Sequence, residues 1–79
     1  MTTHILTPGT KAVGLRPTDS TEVQELKLKF AEIIDQLSIL EDRTHSTDIE
    51  QLAATAKQYC ITAQMWAVKA ITWRIEPDA

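Results

Sequence analysis

A chain of 79 residues supplies one small domain and leaves no room for a second, which excludes large multidomain enzymes. Two glycines cannot build the Gly-rich strand-turn-helix of a nucleotide-binding fold. A formal charge of −3 excludes the basic face that polymeric DNA or RNA requires, while a small anionic ligand needs only a few local cations.

In chain order, the first 18 residues hold both glycines and two of the three prolines, Pro8 and Pro17, without helical or alternating apolar period. They read as an irregular amino-terminal arm. Residues 19–79 form the second unit. Asp19-Ser20-Thr21-Glu22 has the form of a capping box, with Asp19 or Ser20 as N-cap, and predicts a helix over about 20–42. Thr47-Asp48-Ile49-Glu50 repeats the signal and predicts a second helix over about 48–73, with Pro77 just beyond it.

The first helix places apolar residues at Val23, Leu26, Phe30, Ile33, Leu37 and Leu40. The second places them at Ile49, Leu52, Ala56, Tyr59, Ala63, Trp66, Ala70 and Trp73. Both follow an alternation of three and four, the mark of a heptad seam. Joined by the short link Arg43-Thr44-His45-Ser46, two such seams face one another as an antiparallel hairpin, so the expected fold is all-α.

A lone hairpin has little core to set against the entropy of ordering its chain. A second stripe, Ile61, Met65, Val68 and Thr72, runs along the other side of the second helix, and Leu28 and Ile39 lie off the seam of the first. These positions predict a helical homo-oligomer, with the second helix packed between its hairpin partner and other subunits. The alternative is a monomer in which the amino-terminal arm folds back over the stripe.

His4, His45 and Cys60 are too dispersed in sequence for a metal site, and Cys60 has no recognisable activating base, so it reads as a small apolar filler. Trp66, Trp73 and Tyr59 read as seam packing rather than as stacking platforms. Glu32 and Asp35 lie one turn apart, and a solvated helix face explains them as well as an acid/base pair does. The sequence predicts neither an enzyme nor a cofactor. One cysteine, no leading signal peptide and no apolar run of membrane-spanning length predict a cytoplasmic protein without a membrane partner.

Several stretches resemble a known family. Ala56-Lys57 with Thr62-Ala63-Gln64-Met65-Trp66-Ala67-Val68-Lys69-Ala70-Ile71-Thr72-Trp73 is similar to the second helix of the phage hairpin family that inhibits the CBASS and Thoeris defence systems. Val23 through Asp35 resembles its first helix, and Val13-Gly14-Leu15-Arg16 resembles a Gly-aromatic-Arg turn in its arm. The resemblance implies a hexamer of two trimers in the host cytoplasm. Such an assembly binds cyclic dinucleotides between subunits and cyclic trinucleotides in separate pockets without cleaving them, and so acts as a sponge for defence messengers. With its end at Ala79 the chain resembles the hairpin-only form rather than members whose extra domain holds a cyclic ADP-ribose derivative.

Carried over residue by residue, the resemblance makes Lys27 the partner of the messenger's phosphates and sets Lys29 and Gln51 in the second pocket, where Gln51 replaces an arginine. Gly14, Leu15 and Arg16 match the arm turn, with Leu15 in place of a base-stacking aromatic. A cyclic dinucleotide carries two phosphodiester charges, and one lysine from each of two subunits can meet both. The structural alternative has Lys27 and Lys29 flanking the seam and pairing with Glu25, Glu32 or the neighbouring helix, and Arg16 pairing with Asp19 or Glu22. The rival function is a hairpin adaptor that docks on a host or phage protein. A DNA-binding repressor is disfavoured by the charge.

Overall fold

A computed structural model describes residues 7–75, with side chains through Trp73. It contains three helices, α1 (Pro8–Val13), α2 (Thr21–Arg43) and α3 (Thr47–Ile75). The described chain is all-helical, with α2 and α3 packed together and α1 laid mainly on α2.

Residues 1–6 of the expected arm, with His4, lie outside the described residues, and within the rest the arm is irregular only after α1. Thr7 caps α1 by accepting from the Thr10 N–H at 3.1 Å, while the Thr7 N–H donates to Thr10 Oγ1 at 2.8 Å. Pro8 fills the first turn, where its missing N–H costs nothing, and Gly14 ends the helix at φ 62° in the left-handed region. Pro8 and Gly14, which suggest a loop, are here the boundary residues of a helix too short to display a period. A side chain on Gly9 would collide with the Ala31 carbonyl, and the Gly9 N–H donates to Asp35 Oδ1 at 2.8 Å. This close approach brings Val13 against Ala31 and Ile34, with Ala12, Leu15, Phe30, Cys60 and Ile61 packed around them.

The long helices start one residue from their expected positions. Ser20, rather than Asp19, caps α2 by accepting from the Val23 N–H at 3.2 Å. Ser46 accepts from the Ile49 N–H at 3.4 Å, so the cap of α3 precedes Thr47, and the link shortens to Thr44-His45-Ser46. Across the hairpin, Lys57 Nζ lies 2.5 Å from Glu41 Oε1 and 3.3 Å from Ser38 Oγ.

The seams differ from expectation more than the boundaries do. On α2 the buried residues are Val23, Lys27, Ala31 and Ile34, whereas Ile33 is 45 % exposed. On α3 the inward face runs through Ala53, Lys57, Cys60, Gln64, Ala67 and Ile71, all buried or half-buried. Of the expected seam only Ala56 is partly covered. Leu52, Tyr59, Trp66 and Trp73 lie 66 to 73 % exposed. Small Ala53, Cys60 and Ala67 let the helices approach closely, which a row of aromatic rings does not.

Ile61 and Val68, expected to face other subunits, are half-buried, and Ile61 packs on the cluster that α1 closes. The arm thus covers part of that stripe, as the monomeric alternative required, and the large uncovered face of α3 is the aromatic one. Overall dimensions of 51 × 33 × 12 Å describe a thin slab with little depth in which to bury it.

Gly9→Ala separates α1 from α2. It is expected to destabilise the chain by about 1–3 kcal/mol, the usual cost of overpacking a close contact, and urea denaturation followed by circular dichroism measures the loss.

Candidate anion-binding groove

Between α1 and α2 the chain turns through Gly14-Leu15-Arg16-Pro17-Thr18-Asp19, closed by an Asp19 N–H to Arg16 carbonyl bond of 3.1 Å. Lys27 reaches back from α2 to hold both ends of this loop. Its Nζ donates to the Gly14 carbonyl at 3.0 Å and to Asp19 Oδ2 at 2.8 Å. The same carboxylate oxygen accepts the Arg16 N–H at 2.9 Å, and Gln24 Nε2 lies 3.4 Å from the Asp19 carbonyl. The Lys27 and Asp19 side chains are 9 and 13 % exposed, so most of the ion pair is withdrawn from solvent.

The Lys27 hydrogen bond holds the Asp19 carboxyl below its ordinary value of 3.8, against the opposing effect of burial, and the Arg16 N–H and nearby positive charge add to the lowering. Lys27 therefore pairs with the loop rather than with Glu25 or Glu32. In the free chain its ammonium organises the groove from behind.

On the outer side of the loop lies a groove of about 410 Å³. Gly14, Leu15 and Arg16 line it together with Lys11, Gln24 and Leu28. Lys11 and Arg16 are exposed, and among the described residues neither side chain has a carboxylate within ion-pairing distance. Arg16 touches Asp19 through its backbone N–H, not through its guanidinium. Leu15 is half-buried, one side against the Val13–Ala31–Ile34 cluster and the other toward the groove.

A second concavity of about 450 Å³ lies between this loop and α3, with Lys27, Asp19 and Arg16 on one wall and Gln64, Met65 and Val68 on the other. Gln64 is 5 % exposed, and its Oε1 has no hydrogen-bond partner among the described residues.

The structure thus brings Gly14, Leu15 and Arg16 together, with Lys27 directly behind them. It does not bring Lys29 or Gln51 to the groove. Lys29 is exposed on α2, and Gln51 is exposed near Glu41, Asp42, Asp48 and Glu50, whose charges repel phosphate. Sequence reasoning missed Lys11, Asp19 and Gln64 as site residues. Asp19 was concealed by its resemblance to an N-cap, and Gln64 by its place in an otherwise apolar string. Comparison with family models, with curated proteins and with solved structures yields no match.

Because the folded-state pKa of Asp19 lies below 3.8, the ion pair stabilises the fold above that pH and is lost as the pH falls through the folded-state value. Asp19→Asn is expected to lower stability at neutral pH by about 1–3 kcal/mol and to flatten the decline below pH 3.8. Denaturation midpoints compared from neutral to strongly acidic buffer measure both effects.

Proposed function

We propose that this protein binds small cyclic oligonucleotide messengers, cyclic dinucleotides first, and sequesters them without cleavage, so that a bacterial defence effector is never switched on. The observation that carries the reading is the pair of exposed cations, Lys11 and Arg16, neither with a carboxylate within ion-pairing distance of its side chain among the described residues, on the rim of a groove with Leu15 and Leu28 among its walls. Such a surface suits a compact dianion with flat bases, since cations meet phosphodiester oxygens while the bases cover apolar side chains. Gly14 adds room, because a Cβ placed there would meet nothing within 4 Å.

Binding rather than turnover is the reading that the lining of the groove supports, since among the described residues it presents cations, amide and apolar side chains and no histidine, cysteine or carboxylate. The resemblance of the two helices and of the arm turn to the phage hairpin family adds the biological setting, a phage protein in the host cytoplasm acting as a homo-oligomer, hexameric by that resemblance. Cyclic trinucleotides are secondary ligands, because Lys29 and Gln51 do not form a basic pocket within one chain.

The rival reading, a hairpin adaptor, draws on the exposed aromatic stripe of α3, which would then dock on a host or phage protein. Titration calorimetry against a panel of cyclic di- and trinucleotides decides between them. The expected result is saturable binding, with the ligand recovered chemically intact by chromatography after heat denaturation. Arg16→Gln and Lys11→Gln are each expected to weaken dinucleotide binding about tenfold or more, the effect of one lost charge-assisted contact, while leaving the melting temperature unchanged. Absence of binding across the panel overturns the proposal.

A further inference from the structure

The face that α3 leaves uncovered has an order of its own. Leu52, Tyr59, Trp66 and Trp73 recur every seven residues, and so do Ala56, Ala63 and Ala70, offset from them by three or four. The four large side chains are 70, 73, 66 and 69 % exposed. Within the chain this is a heptad seam without a partner, because the hairpin uses the neighbouring face through Ala53, Cys60 and Gln64.

We infer that this seam is the surface on which a second copy of the chain docks, α3 against α3 in antiparallel orientation. Side-chain volume selects both the partner and the direction. In a parallel pair, like positions meet, so layers of two alanines would alternate with layers of two aromatic rings, and no single interhelical distance closes both. In the antiparallel register that sets Trp66 opposite Ala63, Tyr59 lies opposite Ala70 and Trp73 opposite Ala56, so three of the four large residues face a small one of the other copy. Every such layer has similar volume, and Ala56, Ala63 and Ala70 become the holes that receive the aromatic knobs. The pattern is complementary to itself under a two-fold axis, the commonest symmetry of soluble oligomers.

The available area suffices. Leu52, Tyr59, Trp66 and Trp73 together leave roughly 500 Å² of side chain uncovered per copy, so a pair buries about 1,000 Å², the size at which specific protein interfaces begin. Lys69 Nζ lies 5.9 Å from the Trp66 ring centroid and flanks the seam with charge, which keeps the rim hydrated.

The inference gives the homo-oligomer of the proposed function a defined interface, and it is tested without nucleotide so that the two can fail separately. In sedimentation velocity the full chain is expected to form a dimer or a multiple of it. Ala63→Trp and Ala70→Trp enlarge the apolar surface yet fill the holes, and each is expected to weaken self-association about tenfold or more while the helical circular dichroism spectrum is retained. Trp66→Ala is expected to weaken it as well. Combining Ala63→Trp with Trp66→Ala exchanges knob and hole and is expected to restore association. A wild-type chain that stays monomeric at high concentration overturns the inference, as does an Ala63→Trp variant that associates more tightly, the behaviour of an unspecific sticky face or of one meant for another protein. Should the nucleotide titration fail while these results hold, the proposed function falls and the interface stands.

Discussion

An ammonium group withdrawn from water must be matched by nearby oxygens, and Lys27 meets this demand with the Gly14 carbonyl and the Asp19 carboxylate. Those two acceptors stand at opposite ends of the loop between α1 and α2. Satisfying one buried charge therefore fixes the end of the short helix, the path of the loop and the direction from which Arg16 enters the groove. A loop of this length without such a tether would sample many paths, and the two rim cations would not be held over one concavity.

The same contact reassigns the chemical roles. Within the chain Lys27, expected to meet phosphate, is the post to which the loop is tied, and the cations on the outer rim are Lys11 and Arg16. Dividing the work in this way has a physical logic. A cation already hydrogen-bonded to a carboxylate adds little to the attraction of an anion, whereas Lys11 and Arg16, whose side chains have no carboxylate within ion-pairing distance among the described residues, keep more of theirs, Arg16 being partly offset by the nearby Asp19 charge. The net charge of −3 is compatible with this arrangement because Glu41, Asp42, Asp48 and Glu50 gather around Gln51, outside the lining of the groove.

Much of the fold was legible in the sequence. Two long helices, their caps to within one residue and the short link between them follow from capping residues and uninterrupted helix formers. What the pattern could not reveal is which of two equally periodic faces of α3 turns inward. Hydrophobicity favours the aromatic face, yet close helix approach favours the smaller side chains at Ala53, Cys60 and Ala67, and packing density decided in their favour. The helix α1 was hidden because six residues carry no period, and its boundary residues are the ones that also make loops. Of the candidate site, Gly14, Leu15 and Arg16 were found through a local string. The partners that orient them were not, since the separations of 8 positions from Asp19 to Lys27 and 26 positions from Gly9 to Asp35 are closed only by the tertiary fold.

The unmet carbonyl of Gln64 bears on how the hairpin opens. An enclosed oxygen without a donor among the described residues makes the stretch of α3 around residue 64 cheaper to hydrate than the alanine-lined turns toward the link, because an entering water gains a hydrogen bond there. Fluctuations that part the two long helices should accordingly begin near the middle of α3, beneath the tethered loop, and spread outward. The tethered loop between α1 and α2 then rests above the most yielding segment of the helical pair, so that opening is felt first as faster amide exchange along the turns next to Gln64.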